Sequence, residues 1–110
     1  MPERVGLGEF ELLVLAAVLS LGTEAYGSAV YRELDRTGRP VSMGAVYTTL
    51  HRLEEKGMLR SHEGDPTPVR GGRAKRFFHL ERAGHAALSE SLGTLAALLD
   101  GTELAFGAPS

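Results

Sequence analysis

An apolar segment runs from Leu12 to Leu21, and only Ser20 interrupts it. The segment is too short to span a bilayer as a helix. Glu9 and Glu11 lie directly before it, where a secretory signal needs net positive charge. We therefore predict that the segment belongs to a buried helix of a soluble, cytoplasmic protein with no membrane partner.

This first helix is apolar on every side of its helical wheel, so more than one face must be covered. A chain of 110 residues forms one domain with a modest core, which rarely covers such a helix completely. Apolar residues make up 43% of the sequence and charged residues 24%, which is typical of an ordered globular protein. The helix therefore favours a partner subunit that covers the remaining surface.

Helical spacing, caps and turn residues divide the chain into four helices and one hairpin. The predicted elements are helices over Phe10–Leu21, Tyr26–Arg36 and Met43–Lys56, strands over Met58–Glu63 and Lys75–Leu80, and a helix over Arg82–Leu99. Three helices followed by a hairpin is the element order of a winged helix-turn-helix, in which the third helix enters the major groove. The leucines of the last helix step by four, three and four residues, the spacing of a coiled-coil seam.

We therefore predict a mainly α fold with a small β-hairpin, a winged helix-turn-helix followed by a C-terminal dimerisation helix. The expected organisation is a DNA-binding domain over residues 1–81, the dimerisation helix over 82–100 and a flexible tail over 101–110.

The stretch from Ser42 to Leu59, SMGAVYTTLHRLEEKGML, resembles the recognition-helix pattern of the PadR-like family of transcriptional regulators. Ala25–Gly27 resembles the start of that family's second helix, and Gly72–Leu80 resembles its basic, aromatic wing strand. The resemblance covers about residues 7–100. It implies a bacterial regulator, usually a repressor, that binds DNA as a homodimer and has no catalytic chemistry. Two positions depart from the family, since Thr is usual where this chain has Ala45 and Glu81. The first departure affects one candidate DNA contact, and the second weakens a helix cap.

The side of the third helix opposite Val46, Leu50 and Leu53 carries small, polar and basic residues that are available to DNA. The hairpin adds four basic residues, with no acidic residue between Pro66 and Leu80. The predicted DNA-binding residues are Ser42, Gly44, Tyr47, Thr48, His51, Arg52, Arg70, Arg73, Lys75 and Arg76. The partner is expected to be double-stranded DNA with a palindromic operator, because a two-fold dimer presents two equivalent helices about 34 Å apart.

The last helix carries an apolar stripe that its own chain leaves uncovered, and pairing with the first helix of a partner would bury it. The predicted dimer-interface residues are Leu12, Leu15, Leu19, Leu88, Leu92, Leu95 and Leu99. The alternative is a last helix that folds back on its own domain. Some relatives bind small aromatic or drug-like effectors between the subunits, and such an effector is a hypothesis here. We predict no cofactor.

Other function classes find less support in the sequence. The chain has no cysteine, which excludes a disulfide framework and a thiolate metal site, and it has no phosphate-binding loop or nucleophile motif of an enzyme. A metal-sensing winged helix would need several of four scattered histidines to converge. Those histidines are His51, His62, His79 and His85. A winged helix that binds only proteins is the other alternative, because a fold does not dictate its partner.

Overall fold

The computed structural model describes residues 7–65 and 75–104. Its elements are α1 (Glu9–Leu21), a 3-10 turn (Gly22–Glu24), α2 (Gly27–Arg36), α3 (Met43–Glu55), β1 (Leu59–Glu63), β2 (Arg76–Leu80) and α4 (Arg82–Leu99). The predicted mainly α fold with one hairpin is confirmed, and each predicted boundary agrees to within one residue. Within the described ranges, no helix has both the length and the apolar character needed to cross a membrane.

Local hydrogen bonds explain where the helices begin and end. The hydroxyl of Ser42 accepts a hydrogen bond from the N–H of Ala45 at 3.1 Å, which makes Ser42 the N-cap of α3. Gly22 has a φ of +60°, and its N–H donates to the carbonyl of Val18, which ends α1. Glu81 supplies no side-chain cap to α4, as expected from its departure from Thr.

The core surrounds α1, which α2, α3, β2 and α4 all contact. Its largest fully buried side chains are Val14, Leu15, Val30, Val46, Leu50, Leu53, Leu59 and Phe78. Most of the apolar surface of α1 is thus covered within one chain, whereas Leu19 stays 50% exposed. The all-apolar helix is explained mainly by this four-sided packing.

Two residues predicted for the dimer interface lie in the core of their own chain. Leu15 is 0% exposed and Leu88 is 7% exposed, so neither has surface to offer a partner. Leu88 belongs to the first half of α4, which folds back onto the domain, as the alternative for this helix predicted. In the second half, Leu92 and Leu95 are exposed and Leu99 is half-buried. The predicted boundary before residue 82 therefore does not separate α4 from the core.

The hairpin is antiparallel, with Leu59 opposite Leu80 and Ser61 opposite Phe78. Phe78 is buried, and alternation along the strand places its neighbour Phe77 on the other face. The N–H of Phe78 donates to the carbonyl of Ala25 at 2.8 Å, so the segment before α2 adds to the free edge of β2. This pairing fixes the hairpin against the start of α2.

Candidate nucleic-acid interface

The outer face of α3 collects six of the predicted DNA-binding residues. Val46, Leu50 and Leu53 hold the opposite face of the helix in the core. The six exposed residues are Ser42, Gly44, Tyr47, Thr48, His51 and Arg52. Because the core fixes the helix along its length, these groups form a rigid surface rather than a mobile one.

Gly44 lies in the first turn of α3 and has no neighbour that requires a glycine. A Cβ built at Gly44 would meet no atom of the described residues within 4 Å. Glycine lowers helix stability by up to about 1 kcal/mol relative to alanine, and folding alone gives no reason for it here. The position therefore suits the close approach of a second molecule to the helix backbone.

Tyr47 has a defined position on this face because its ring lies over Gly27, the first residue of α2. A Cβ on Gly27 would overlap the ring and the hydroxyl group of Tyr47. Gly27 thus allows the tyrosine to rest across the start of α2, and about 40% of the side chain stays exposed. The exposed phenol can donate to a phosphate oxygen.

Two of the basic residues predicted to contact DNA, Lys75 and Arg76, lie in the described part of the hairpin and have different surroundings. The Nζ atom of Lys75 lies 4.1 Å from the ring centre of Tyr26, at the start of α2. Arg76 donates to the hydroxyl of Ser61 at 2.9 Å, and that hydroxyl donates to the carboxylate of Glu54 at 2.7 Å. These hydrogen bonds connect the hairpin to the end of α3. Arg70 and Arg73 lie outside the described residues.

The C-terminal end of α3 is attached to α1 by a partly buried ion pair. Lys56 Nζ lies 2.8 Å from an oxygen of Glu11, and Glu11 also accepts the N–H of Gly8 at 2.9 Å. Burial alone would raise the pKa of Glu11, but the hydrogen bonds from Lys56 and Gly8 lower it overall. The carboxylate is thus kept charged, and it helps to fix the position of the recognition helix.

Sequence reasoning missed Tyr26 and Arg32, which belong to the same surface. Arg32 donates to the hydroxyl of Tyr26 at 3.1 Å, and its guanidinium carbon lies 5.8 Å from the ring centre. The sequence predicted Tyr26 as the first residue of the second helix, whereas the structure makes it the N-cap residue before α2. The signal available in the sequence was the aromatic residue before Gly27, which belongs to the stretch that resembles the start of the family's second helix. Helical spacing placed this residue inside the helix instead of before it.

The structure brings two of the four histidines together. His62 Nδ1 and His79 Nε2 are 2.7 Å apart on one face of the hairpin, and Phe77 stacks on His62. Among the described residues, no group of three or more His, Cys, Asp or Glu side chains could hold a metal ion. The convergence of several histidines that a metal sensor requires is therefore not found in this part of the chain.

The partly buried position of His79, beside Arg60 and His62, makes the stability of the hairpin depend on pH. Burial, followed by the charges of Arg60 and His62, lowers the pKa of His79. An unfolded histidine titrates near 6.5, so the unfolded chain binds more protons between the lowered pKa and that value. The stabilisation from neutral His79 is therefore present above about pH 6.5 and is lost as the pH falls.

When the pH is lowered from about 8 to about 5, we expect the free energy of unfolding of a His79→Gln variant to fall by less than that of the wild type. The amide can still hydrogen bond to His62 but does not titrate in this range. Urea denaturation at both pH values measures the two losses, and the comparison at about pH 8 corrects for packing changes. Equal losses in both proteins would show that His79 does not contribute to the pH dependence.

Comparison with known proteins agrees with this geometry. The sequence model of the transcriptional regulator PadR-like family matches residues 14–90. Transcriptional regulator Rv3488 of Mycobacterium tuberculosis is 45% identical over 67 residues, which cover 61% of this chain and 59% of that protein. The match thus spans less than two thirds of that relative.

Solved structures show the same fold. A PadR family transcriptional regulator from Eggerthella lenta is 26% identical, with a TM-score of 0.65 over 84% of this chain and 81% of that chain. A PadR family transcription regulator from Clostridium difficile is 20% identical, with a TM-score of 0.66 over 84% of this chain and 96% of that chain. With the family match over residues 14–90, these similarities show that the chain belongs to the PadR-like family of transcriptional regulators and is not an enzyme.

Proposed function

We propose that the protein represses transcription in the bacterial cytoplasm by binding a palindromic DNA operator as a homodimer. The observation that carries the proposal is the rigid, exposed face of α3 around Tyr47, where Gly44 leaves open space beside the helix backbone. PadR-like regulators bind DNA, and in winged helices the third helix enters the major groove. The predicted contacts of α3 would then read the bases, and the hairpin would contact the flanking backbone.

The second half of α4 supports the homodimer. Leu92 is 43% exposed, Leu95 is 45% exposed and Leu98 is exposed further, so adjacent turns present a continuous apolar surface. Monomeric proteins rarely leave such a surface in water. A second copy of α4 would cover this surface, because the leucines of the helix have the spacing of a coiled-coil seam. The exposed Leu19 of α1 would extend the interface.

The same region offers a place for a small aromatic or drug-like effector. A groove of about 730 Å³ lies between α1 and α4, and its apolar lining includes Leu7, Leu12, Met58, Leu95 and Leu98. Small-molecule sites in proteins are concave and mostly apolar at comparable volumes. Leu95 and Leu98 belong both to this groove and to the proposed dimer interface, so an effector bound there would change how the two recognition helices are spaced.

Selection of bound sequences from random duplex DNA tests the function directly. We expect enrichment of a two-fold symmetric sequence whose half-sites are about one helical turn apart. No enrichment at low salt, with a folded protein, would refute DNA binding and would favour the alternative of a protein-interaction module.

A Gly44→Ala variant tests the role of the α3 face. We expect its Kd for the selected duplex to rise about tenfold, which corresponds to a loss of about 1.4 kcal/mol of binding free energy. The reason is that the added methyl group occupies the space needed for DNA. We expect its free energy of unfolding to stay equal or to rise by as much as about 1 kcal/mol, because alanine favours the helix. Fluorescence anisotropy and urea denaturation measure the two effects. An unchanged Kd would show that DNA does not approach the helix at this point.

A further inference from the structure

Tyr26 is the centre of a small basic cluster at the start of α2. Lys75 Nζ lies 4.1 Å from its ring centre, and Arg32 donates to its hydroxyl at 3.1 Å. Phe77 packs edge-on against the same ring, with 5.6 Å between the ring centres. A residue of the hairpin and a residue of α2 are thus held on one aromatic side chain.

The cluster has an excess of positive charge. No carboxylate within the described ranges forms an ion pair with Arg32 or Lys75, whereas Arg36, one turn further along α2, is paired with Glu33 at 2.8 Å. Two cations near one ring repel each other, and an anion between them would relieve that repulsion. Tyr26 also supplies no side-chain acceptor to the first N–H groups of α2, so the positive end of that helix adds to the potential.

The two cations keep donors free for such an anion. The guanidinium of Arg32 has five N–H donors, and the hydroxyl of Tyr26 takes one of them. The ammonium of Lys75 faces an aromatic ring, which attracts the charge without accepting a conventional hydrogen bond from it. Tyr47 rests on the neighbouring Gly27, so the cluster adjoins the proposed DNA-binding face of α3.

We propose that Arg32 and Lys75 together hold a single phosphate of the DNA backbone, with Tyr26 positioning both cations. The inference rests on the proposed function and adds a contact that joins α2 to the hairpin. A phosphate has several oxygens that can accept from an arginine and a lysine at once. Contact with one phosphate by two elements would fix the angle between the hairpin and the recognition helix on the operator.

The salt dependence of DNA binding tests this sharing. Each phosphate neutralised contributes about 0.9 to the slope of log K against log salt concentration. For an Arg32→Ala, Lys75→Ala double variant, which changes both subunits of the proposed homodimer, we expect the slope to fall by about 1.8, or about 0.9 per subunit. Contacts to two separate phosphates in each subunit would lower it by about 3.6. Each single variant should lower the slope by no more than the double variant does. The matched control is Arg36→Ala, which removes an arginine from the same helix and should leave the slope unchanged.

The outcomes separate the inference from the function on which it rests. Failure of the wild type to bind any duplex refutes the proposed function. If the wild type binds and the Arg32→Ala, Lys75→Ala double variant behaves like Arg36→Ala, the function stands and the phosphate contact is wrong. A fall of about 3.6 in the double variant would also overturn the sharing of one phosphate in each subunit. Urea denaturation of each variant verifies its fold, and Arg32→Gln with Lys75→Gln, which keep a polar side chain without the charge, serve if an alanine variant is unfolded.

Discussion

A Gly84→Ala variant is expected to have a free energy of unfolding about 2 to 3 kcal/mol below that of the wild type. Gly84 is a buried residue in the first turn of α4, and its Cα faces the chain between α3 and β1. An added Cβ would overlap the carbonyl oxygen of Met58 and lie 3.1 Å from its carbonyl carbon. That carbonyl also accepts the N–H of Glu81 at 2.9 Å, so the backbone has little freedom to move away.

The matched control is Gly93→Ala, the same change on the same helix. A Cβ at Gly93 would meet no atom of the described residues within 4 Å, so we expect a gain of about 0.5 to 1 kcal/mol from helix propensity. Urea denaturation of both variants at one protein concentration measures the difference. If Gly84→Ala were as stable as Gly93→Ala, the close packing of α4 on Met58 would be wrong.

The positions of the secondary-structure elements could be predicted from the sequence because local signals define them. Ser42 and Gly22 mark helix ends through hydrogen bonds with residues three or four positions away. Signals of this kind depend on a few neighbouring residues, so they do not require knowledge of the tertiary structure.

The residues that cover an apolar stripe could not be predicted in the same way. The spacing of leucines in α4 identifies a stripe, but it does not state whether the same chain or a partner covers each turn. Leu88 and Leu15 pack into their own core because the hairpin brings α4 back onto α1. The interface assigned to them from the sequence was therefore wrong at these two positions.

The clusters around Tyr26 and His62 depend on long-range pairing. The register of the hairpin brings His62 next to His79, which is 17 residues away in the sequence. The loop between the strands gives no sign of this register, because its length allows several pairings. Arg32 comes next to the hairpin through its contacts with Tyr26, which pairs with the edge of β2.

A Leu95→Glu variant is expected to raise the dissociation constant of the proposed homodimer by at least about 100-fold, or about 2.7 kcal/mol. Leu95 is 45% exposed and lines the apolar groove between α1 and α4. Burial of one leucine contributes about 1.5 to 3 kcal/mol, and a symmetric interface loses two of them. Each new carboxylate would also be placed in an apolar contact without a partner, which adds a desolvation cost.

The matched control is Ala97→Glu, which adds the same charge to the same half of α4. Two residues along a helix correspond to about 200°, so Ala97, which is exposed, lies on nearly the opposite side from Leu95. Sedimentation equilibrium of both variants gives the dissociation constants, and anisotropy gives their affinity for the selected duplex. We expect Leu95→Glu alone to become monomeric and to lose operator binding, because one recognition helix makes only half of the contacts. A dimer that survives Leu95→Glu, or a wild type that is monomeric at micromolar concentrations, would show that the exposed leucines of α4 do not join two subunits.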